Sequence, residues 1–502
     1  MMKSNALKTT QLMMALALGL NAHANPNMKG QEITHQSPNG KVEKCIITNR
    51  APEGSYSEGD ADDEKKFCDM DFYSNSLALC PKTWSTSAAT IVNTLNGSNM
   101  TQSQAEQQTC AQGKSNPLKS VAKFKQTMNQ SGTSALFSKS SLLYYHMSRY
   151  LDTTIDVPVA VMRTMDKNAH YDRVTSKARP TATMNRAAWD WMKKALPAPN
   201  TFPGKVDLFT PDLEQIYGVL LKDKGERYGA EINSLRKSSG YDAQNDEIQT
   251  TPSFMALASD GDLSTAIDTG IRRSFQNAGM RDAFRGEAPS KVQMVLWMNE
   301  MSEMAVLDYI FSQQDRVGNI DFRWYWMFVD DKGKFRKAKL EAELPLRSRA
   351  TILANVEKTY AANDESDNAK DARMYQAIKQ FNPVLVQKTM IGDNDAGGRT
   401  QYANFTKRRQ FIQKFKHLNA DLYKKIIKMD TDFKTQGVLH NYFKDTFALE
   451  ERQFNQLINQ TSEVATILRE KCQAGQLKFD LVSHKKAVKN EFTETTLNCV
   501  NP

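Results

Sequence analysis

A twenty-residue segment, 292–311, carries apolar side chains on every side of a helical wheel: Val295, Leu296, Trp297, Met298, Met301, Met304, Ala305, Val306, Leu307 and Ile310. A helix that is apolar all round must be buried. A membrane span is the competing reading, but Glu300, Glu303 and Asp308 would each be costly in hydrocarbon. A core helix is therefore expected, and with it a globular fold built around one rigid post. Directly after it come Asp315-Arg316-Val317-Gly318-Asn319, a turn-prone run with an acid, a base and an amide. Groups hung from a stiff buried element are held in place, as general-base and metal contacts require.

The first 24 residues predict an exported chain. Lys3 and Lys8 precede an apolar stretch, 12–20, and a small-residue cleavage site at Ala22-His23-Ala24. Cleavage there removes two lysines and no acid, so the formal charge falls from +9 to +7. The expected location is the periplasm or the exterior, with no stable membrane span in the mature chain. All six cysteines, Cys45, Cys68, Cys80, Cys110, Cys472 and Cys499, follow the leader. An even number in an oxidising compartment predicts three disulfides, two within the first 110 residues and Cys472 to Cys499 at the tail. How the first four pair is open, and the lack of any Cys-x-x-Cys argues against zinc. No run of Lys and Arg interleaved with aromatics points to nucleic acid.

Along the chain, residues 25–116 read as a polar, loop-rich, disulfide-braced extension with a helix around 88–95. The acidic run 59–64 lacks the spacing of a calcium loop and reads as a solvated loop. Residues 119–126 alternate, with Val121, Lys123 and Lys125 on one face of a strand. A helix over 141–150 and a strand over 157–162 follow. No motif stands out between 172 and 292. Residues 322–337 read as a hairpin turning near Lys332-Gly333, and 338–382 as an insertion. A strand over 383–391 runs into Gly392-Asp393-Asn394-Asp395-Ala396-Gly397, the kind of acidic turn that presents metal-binding carboxylates. The rest, 402–472, is helical.

A strand lysine, a helix, an Asp-Arg loop and a strand ending in Asp stand in the order found in kinases. Phe124-Lys125-Gln126, His146-x-x-Arg149, Val157-Pro158, Asp315-Arg316 and Asp393-Asn394-Asp395-Ala396-Gly397 together resemble the secreted kinases typified by the Golgi casein kinase. Type II phosphatidylinositol 4-kinases and HipA-like kinases are similar more loosely. The resemblance implies an α+β, two-lobed protein-kinase-like fold with a small lobe at 117–170, a mostly helical large lobe at 171–471 and a disulfide-pinned tail at 472–502. It implies ATP with Mg²⁺ or Mn²⁺ and a hydroxyl acceptor on an extracytoplasmic protein or glycan, a lipid headgroup being a further option. Lys125, or Lys123 on the same face, would hold the nucleotide phosphates. Asp315 would accept the acceptor's proton and Arg316 would orient the loop. Asp395, or Asp393, would ligate the metal, and Asn319 a second one; His146 and Arg149 fall to packing. Three departures accompany the likeness. Ser141 stands where a helix Glu would pair with the strand lysine. Asn319 follows Asp315 by four residues where kinases have five, which makes Asp321 a substitute. No glycine-rich loop precedes Lys125. A catalytically inactive nucleotide- or partner-binding module is the alternative function.

Overall fold

The computed structural model describes residues 28–502 apart from 129, 135, 203–207, 223, 224, 239, 342–351, 353–365 and 400. The expected leader and most of the expected insertion lie outside the described residues. The protein is a mixed α+β structure, as expected. Seven strands, β1 (Gly30–Gln36), β2 (Val42–Thr48), β3 (Leu77–Pro81), β4 (Thr90–Thr94), β5 (Ser120–Gln126), β6 (Ala160–Asp166) and β7 (Gln215–Leu221), form one antiparallel sheet ordered β1-β2-β6-β7-β5-β4-β3. The β-branched and aromatic content of the central strands suits burial on both faces, and β6 and β7 are buried throughout. Gly218 in β7 is needed there, because a Cβ would lie 2.4 Å from the Phe124 ring on β5.

This arrangement corrects three expectations. The segment 25–116 is no appended extension, since it supplies four of the seven strands of the sheet that holds Lys125. The boundary near 170 falls too early, because β7 lies between β6 and β5. Residues 90–94 are a strand, for Ile91 and Val92 each find a cross-strand partner on both sides, Cys80 and Leu79 on β3, Lys123 and Ala122 on β5. Nor is the acidic run a solvated loop, although Asp62 and Asp63 are exposed as expected. It lies in helix α1 (Glu58–Cys68), whose Ser57 and Asp60 form a reciprocal cap. Asp60 accepts two bonds from Arg149 and Glu64 one from Tyr145 Oη.

The disulfides are Cys45–Cys68, Cys80–Cys110 and Cys472–Cys499, so no cysteine is free. Breaking Cys472–Cys499 should cost about 2–5 kcal/mol. Thiol titration of the denatured, unreduced protein should find none, and two reactive thiols per chain would contradict the pairing.

Helix α2 (Ser138–Leu151) follows β5, and helix α3 (Thr183–Ala195) lies beyond β6. Beyond β7 come helix α4 (Tyr241–Glu247) and the post itself, helix α5 (Lys291–Phe311), which is buried at every position after Lys291. It starts at a Ser290 cap and ends at Ser312 in the left-handed conformation. The second sheet packs along its flank, where Gln293 in the first turn of α5 exchanges hydrogen bonds with the Gln387 backbone and Glu300 accepts from Thr389 N. There β8 (Glu226–Arg227) and β11 (Val384–Ile391) pair with β9 (Ile320–Val329), and the expected hairpin joins β9 to β10 (Phe335–Lys339). Among the described residues no helix is long and apolar enough to cross a membrane.

The loop after α2 ties the two sheets together. The Glu303 carboxylate on α5 accepts from Thr154 N, Ile155 N and Thr154 Oγ1, and Lys388 on β11 is ion-paired with Asp156. Burial raises the Glu300 carboxyl to about 8 and that of Glu303 to about 7, against the pull of Lys388 and of backbone N–H groups. In the unfolded chain both ionise near 4.5, so the folded state keeps protons that the unfolded state has lost. Their contribution is full in acid and is lost as pH rises through 7 and 8. Glu300→Gln should therefore remove part of the alkaline fall in the urea midpoint. A variant with the wild-type slope between about pH 5 and 9 would contradict this.

Candidate functional site

Lys125 is no surface lysine. Its side chain, 1 % exposed, leaves central strand β5 and donates to Asp393 Oδ1 at 2.6 Å and Asp395 Oδ1 at 2.9 Å. The strand is held at that point by Ser138 Oγ, which donates to the Lys125 carbonyl at 2.8 Å. Ser141, where a helix acid was missed, is buried on α2 and leaves this pairing to the turn after β11. That turn is fixed from three directions. Phe137 N donates to the Asp395 carbonyl, Gln314 N to that of Ala396 and Gly392 N to that of Asn319. Asp393 sits at φ 48°, a left-handed position that Asp tolerates.

The two carboxyls are shifted in opposite directions. Burial works against charge on both. At Asp393 the ammoniums of Lys125, Lys82 and Lys123 outweigh it and hold the carboxyl well below its ordinary range. At Asp395 burial and the neighbouring Asp393 charge prevail over Lys125 and raise it. Asp395 is fully buried, and its Oδ2 has no hydrogen-bond partner. Such an orphaned buried oxygen is rare and marks a place for a donor or a cation.

Arg316 lies behind this turn, bonded through Nε and Nη2 to both oxygens of Asp308, through Nη1 to the Gly392 carbonyl and through Nη2 to Asn394 Oδ1. It joins the Asp315 loop to the end of α5 and to the Asp393 turn. Asp315 faces a cavity of about 250 Å³ lined also by Thr86, Ser87, Arg236, Tyr241 and Asp393. Burial and the Asp393 charge raise its carboxyl to about 6 despite Arg316. Asn319 is used differently from expectation. Its amide donates to the Asp315 carbonyl and its Oδ1 accepts from Arg227 Nη1, both at 2.8 Å. It braces the loop, and a guanidinium at its one side-chain acceptor is the wrong neighbour for a divalent cation. Asp321, the substitute, is ion-paired with Arg227. His146 is buried between Tyr56 Oη and Thr48 Oγ1, and burial lowers its pKa to about 3, so it is a neutral packing residue.

Two groups at the site carry no sequence motif. One is the β3–β4 turn, 82–89, which brings Lys82, Thr86 and Ser87 to the cleft; a lysine beside a hydroxyl-rich turn was its only signal. The other is the segment 227–244. There Asn233 Oδ1 accepts from Gly318 N, and the Arg236 guanidinium lies where a Cβ on Gly318 would come within 2.8 Å. A second cavity of about 240 Å³ is lined by Trp84, Ile91, Asn93, Leu118, Lys123 and Lys222. Lys123 thus lies beside the Lys125 pair without joining it.

Among the described residues no group of three His, Cys, Asp or Glu side chains is assembled to hold a metal alone. Asp395 with its orphaned oxygen and ionised Asp393 fit the lesser demand of Mg²⁺, which takes one or two carboxylates and completes its shell with phosphate oxygens and water. No protein-family model matches this sequence, and no curated protein is significantly similar to it.

Proposed function

We propose that the chain is an exported ATP-dependent phosphotransferase of two-lobed, kinase-like construction, acting on a hydroxyl of an extracytoplasmic protein. The observation that carries this is the meeting of three distant segments in one cleft: the buried Lys125, the Asp393–Asp395 turn bonded to it, and Asp315 in a cavity shared with Asp393. In this reading Lys125 holds the nucleotide phosphates and the cavity under Trp84 receives the base. A divalent ion would be held by Asp395 and Asp393 and would neutralise charge on the phosphates. Asp315 accepts a hydrogen bond from the acceptor hydroxyl. As that oxygen bonds to the γ-phosphorus and the bond to ADP breaks, the hydroxyl proton passes to Asp315. The seven-stranded sheet and the α5 layer stand as the two lobes.

Asp395→Asn tests the nucleotide half of the proposal. A neutral amide cannot balance a divalent ion, so the variant should fold and lose the thermal shift that ATP with Mn²⁺ gives the wild type. Equal shifts in both proteins, or none in the wild type, would defeat the assignment. A module that binds ATP but transfers nothing would keep the shift and show no label transfer.

A further inference from the structure

We propose that the large cavity between the loop after α2, the helix 420–434 and the segment 483–485 is a second binding site, which takes a neutral oligosaccharide. It shares no lining residue with the cavities beside Lys123 and Asp315, so it stands whether or not the chain transfers phosphate.

The cavity measures about 980 Å³, the upper end of the size of small-molecule sites, and its walls are held in place. One wall is the loop after α2, where Thr154 N and Oγ1 donate to the Glu303 carboxylate. Helix α6 (Ala420–Lys434) is the second, and it turns Lys424, Lys428 and Thr431 to the cavity at helical spacing. The third, 483–485, is fixed from α5, where Asn299 Nδ2 donates to the Val482 carbonyl at 2.9 Å. The fourth, 500–502, follows Cys499, which is bridged to Cys472 and whose carbonyl accepts from Tyr423 Oη at 2.6 Å. A site formed in advance like this loses little in ordering itself around a ligand.

The lining says what fits. Besides Glu303, four lysines face four carboxylates, and most of them are matched within the chain: Lys428 is ion-paired with Glu53, Lys424 with Asp421, and Lys425 donates to the Glu53 carbonyl. A cavity without excess charge has little hold on a phosphate or a sulfate, and one lined by threonine and serine hydroxyls has little on a hydrocarbon. His484 forms part of the wall at 8 % exposure, and its Nε2 has no hydrogen-bond partner. Among the described residues that line the cavity, it is the one with a buried and unbonded polar side-chain atom. Such an atom calls for a partner. Burial and the ammoniums of Lys388 and Lys337 lower the His484 pKa to about 3, so the ring is neutral and offers one donor and one acceptor. The Phe335 ring lies beside it, 6.2 Å between centres. A sugar hydroxyl both gives and takes a hydrogen bond without carrying charge, and the C–H face of a pyranose finds an apolar surface on Phe335.

The test uses the full chain, as wild type, His484→Ala, Thr431→Trp and Asp315→Ala, with isothermal titration of cellotetraose, maltotetraose and chitotetraose. Tetragalacturonate serves as a charged counterpart of the same length. The wild type should bind at least one neutral tetrasaccharide, more tightly than tetragalacturonate and with little change on added salt. His484→Ala should weaken that binding by about tenfold or more. Thr431→Trp, a change at an exposed position that fills the cavity, should do the same, and it carries the test alone if His484→Ala does not fold. Asp315→Ala, which alters the other cleft, should bind the sugar as the wild type does. No binding of a neutral tetrasaccharide by the wild type, undiminished affinity in Thr431→Trp, or a preference for tetragalacturonate would each overturn the proposal. Binding lost in Asp315→Ala and kept in Thr431→Trp would also overturn it, by placing the sugar in the Asp315 cleft as an acceptor.

Discussion

Asp315→Ala should bind ATP and Mn²⁺ as tightly as the wild type and transfer phosphate about 10²- to 10⁴-fold more slowly, the loss that follows removal of a positioned general base. Binding and transfer separate because different residues serve them. Lys125 meets Asp393 and Asp395, whereas Asp315 reaches the shared cavity from the loop after α5. The carboxylate is the form that accepts a proton, and burial with the Asp393 charge raises Asp315 to about 6. Transfer by the wild type should therefore climb as pH rises through 6, and the residual activity of Asp315→Ala should lack that step. γ-labelled ATP, Mn²⁺ and a mixture of extracytoplasmic proteins supply the assay, with glycans in a parallel reaction. Equal labelling by both proteins would remove Asp315 from the chemistry, and labelling of glycans alone would move the acceptor to that class.

Arg316→Ala should destabilise the protein by about 3–5 kcal/mol, the usual loss when one partner of a buried ion pair is removed. Asp308 would be left 2 % exposed with only Tyr144 Oη bonded to it, and Gly392 O and Asn394 Oδ1 would each lose a donor. Replacing both charges, as Asp308→Leu with Arg316→Met, should cost clearly less than the sum of the single changes, because no charge is then stranded. Urea unfolding of the three variants measures this. Strict additivity would mean that the pair is not coupled.

Sequence pattern served best where one local period settled the matter. The apolar run 292–311 could only be a buried helix, and the alternation over 119–126 put Lys123 and Lys125 on one face of a strand. Its errors came where distant partners decide. Residues 90–94 are a strand because β3 and β5 flank them, and no local signal carries that. Asp60 and Glu64 looked as solvated as the exposed Asp62 and Asp63 because their partners, Arg149 and Tyr145, lie some eighty to ninety residues away. Ser57-x-x-Asp60 was a legible helix start that the acidic run obscured. At the site, the resemblance gave Lys125, Asp393, Asp395 and Asp315. It gave neither Lys82 nor the segment 227–244, whose residues belong to no motif and reach the cleft only through the fold. Asn319 shows the converse: the motif position is filled, and its side chain is spent on the loop.

The Cys80–Cys110 bridge also ties the approach to the turn 82–89 to the approach to β5. Cys80 is the last residue but one of β3, two before Lys82, and its partner lies in the turn that precedes β5, so one covalent link fastens the strand leading into 82–89. That strand lies at the open edge of the sheet, paired with β4 on one side and bonded on the other by Glu106, which accepts from Leu79 N, and Gln102, which donates to the Leu77 carbonyl. Reducing the bridge would remove the covalent tie between the strand that leads into 82–89 and the segment that leads into β5.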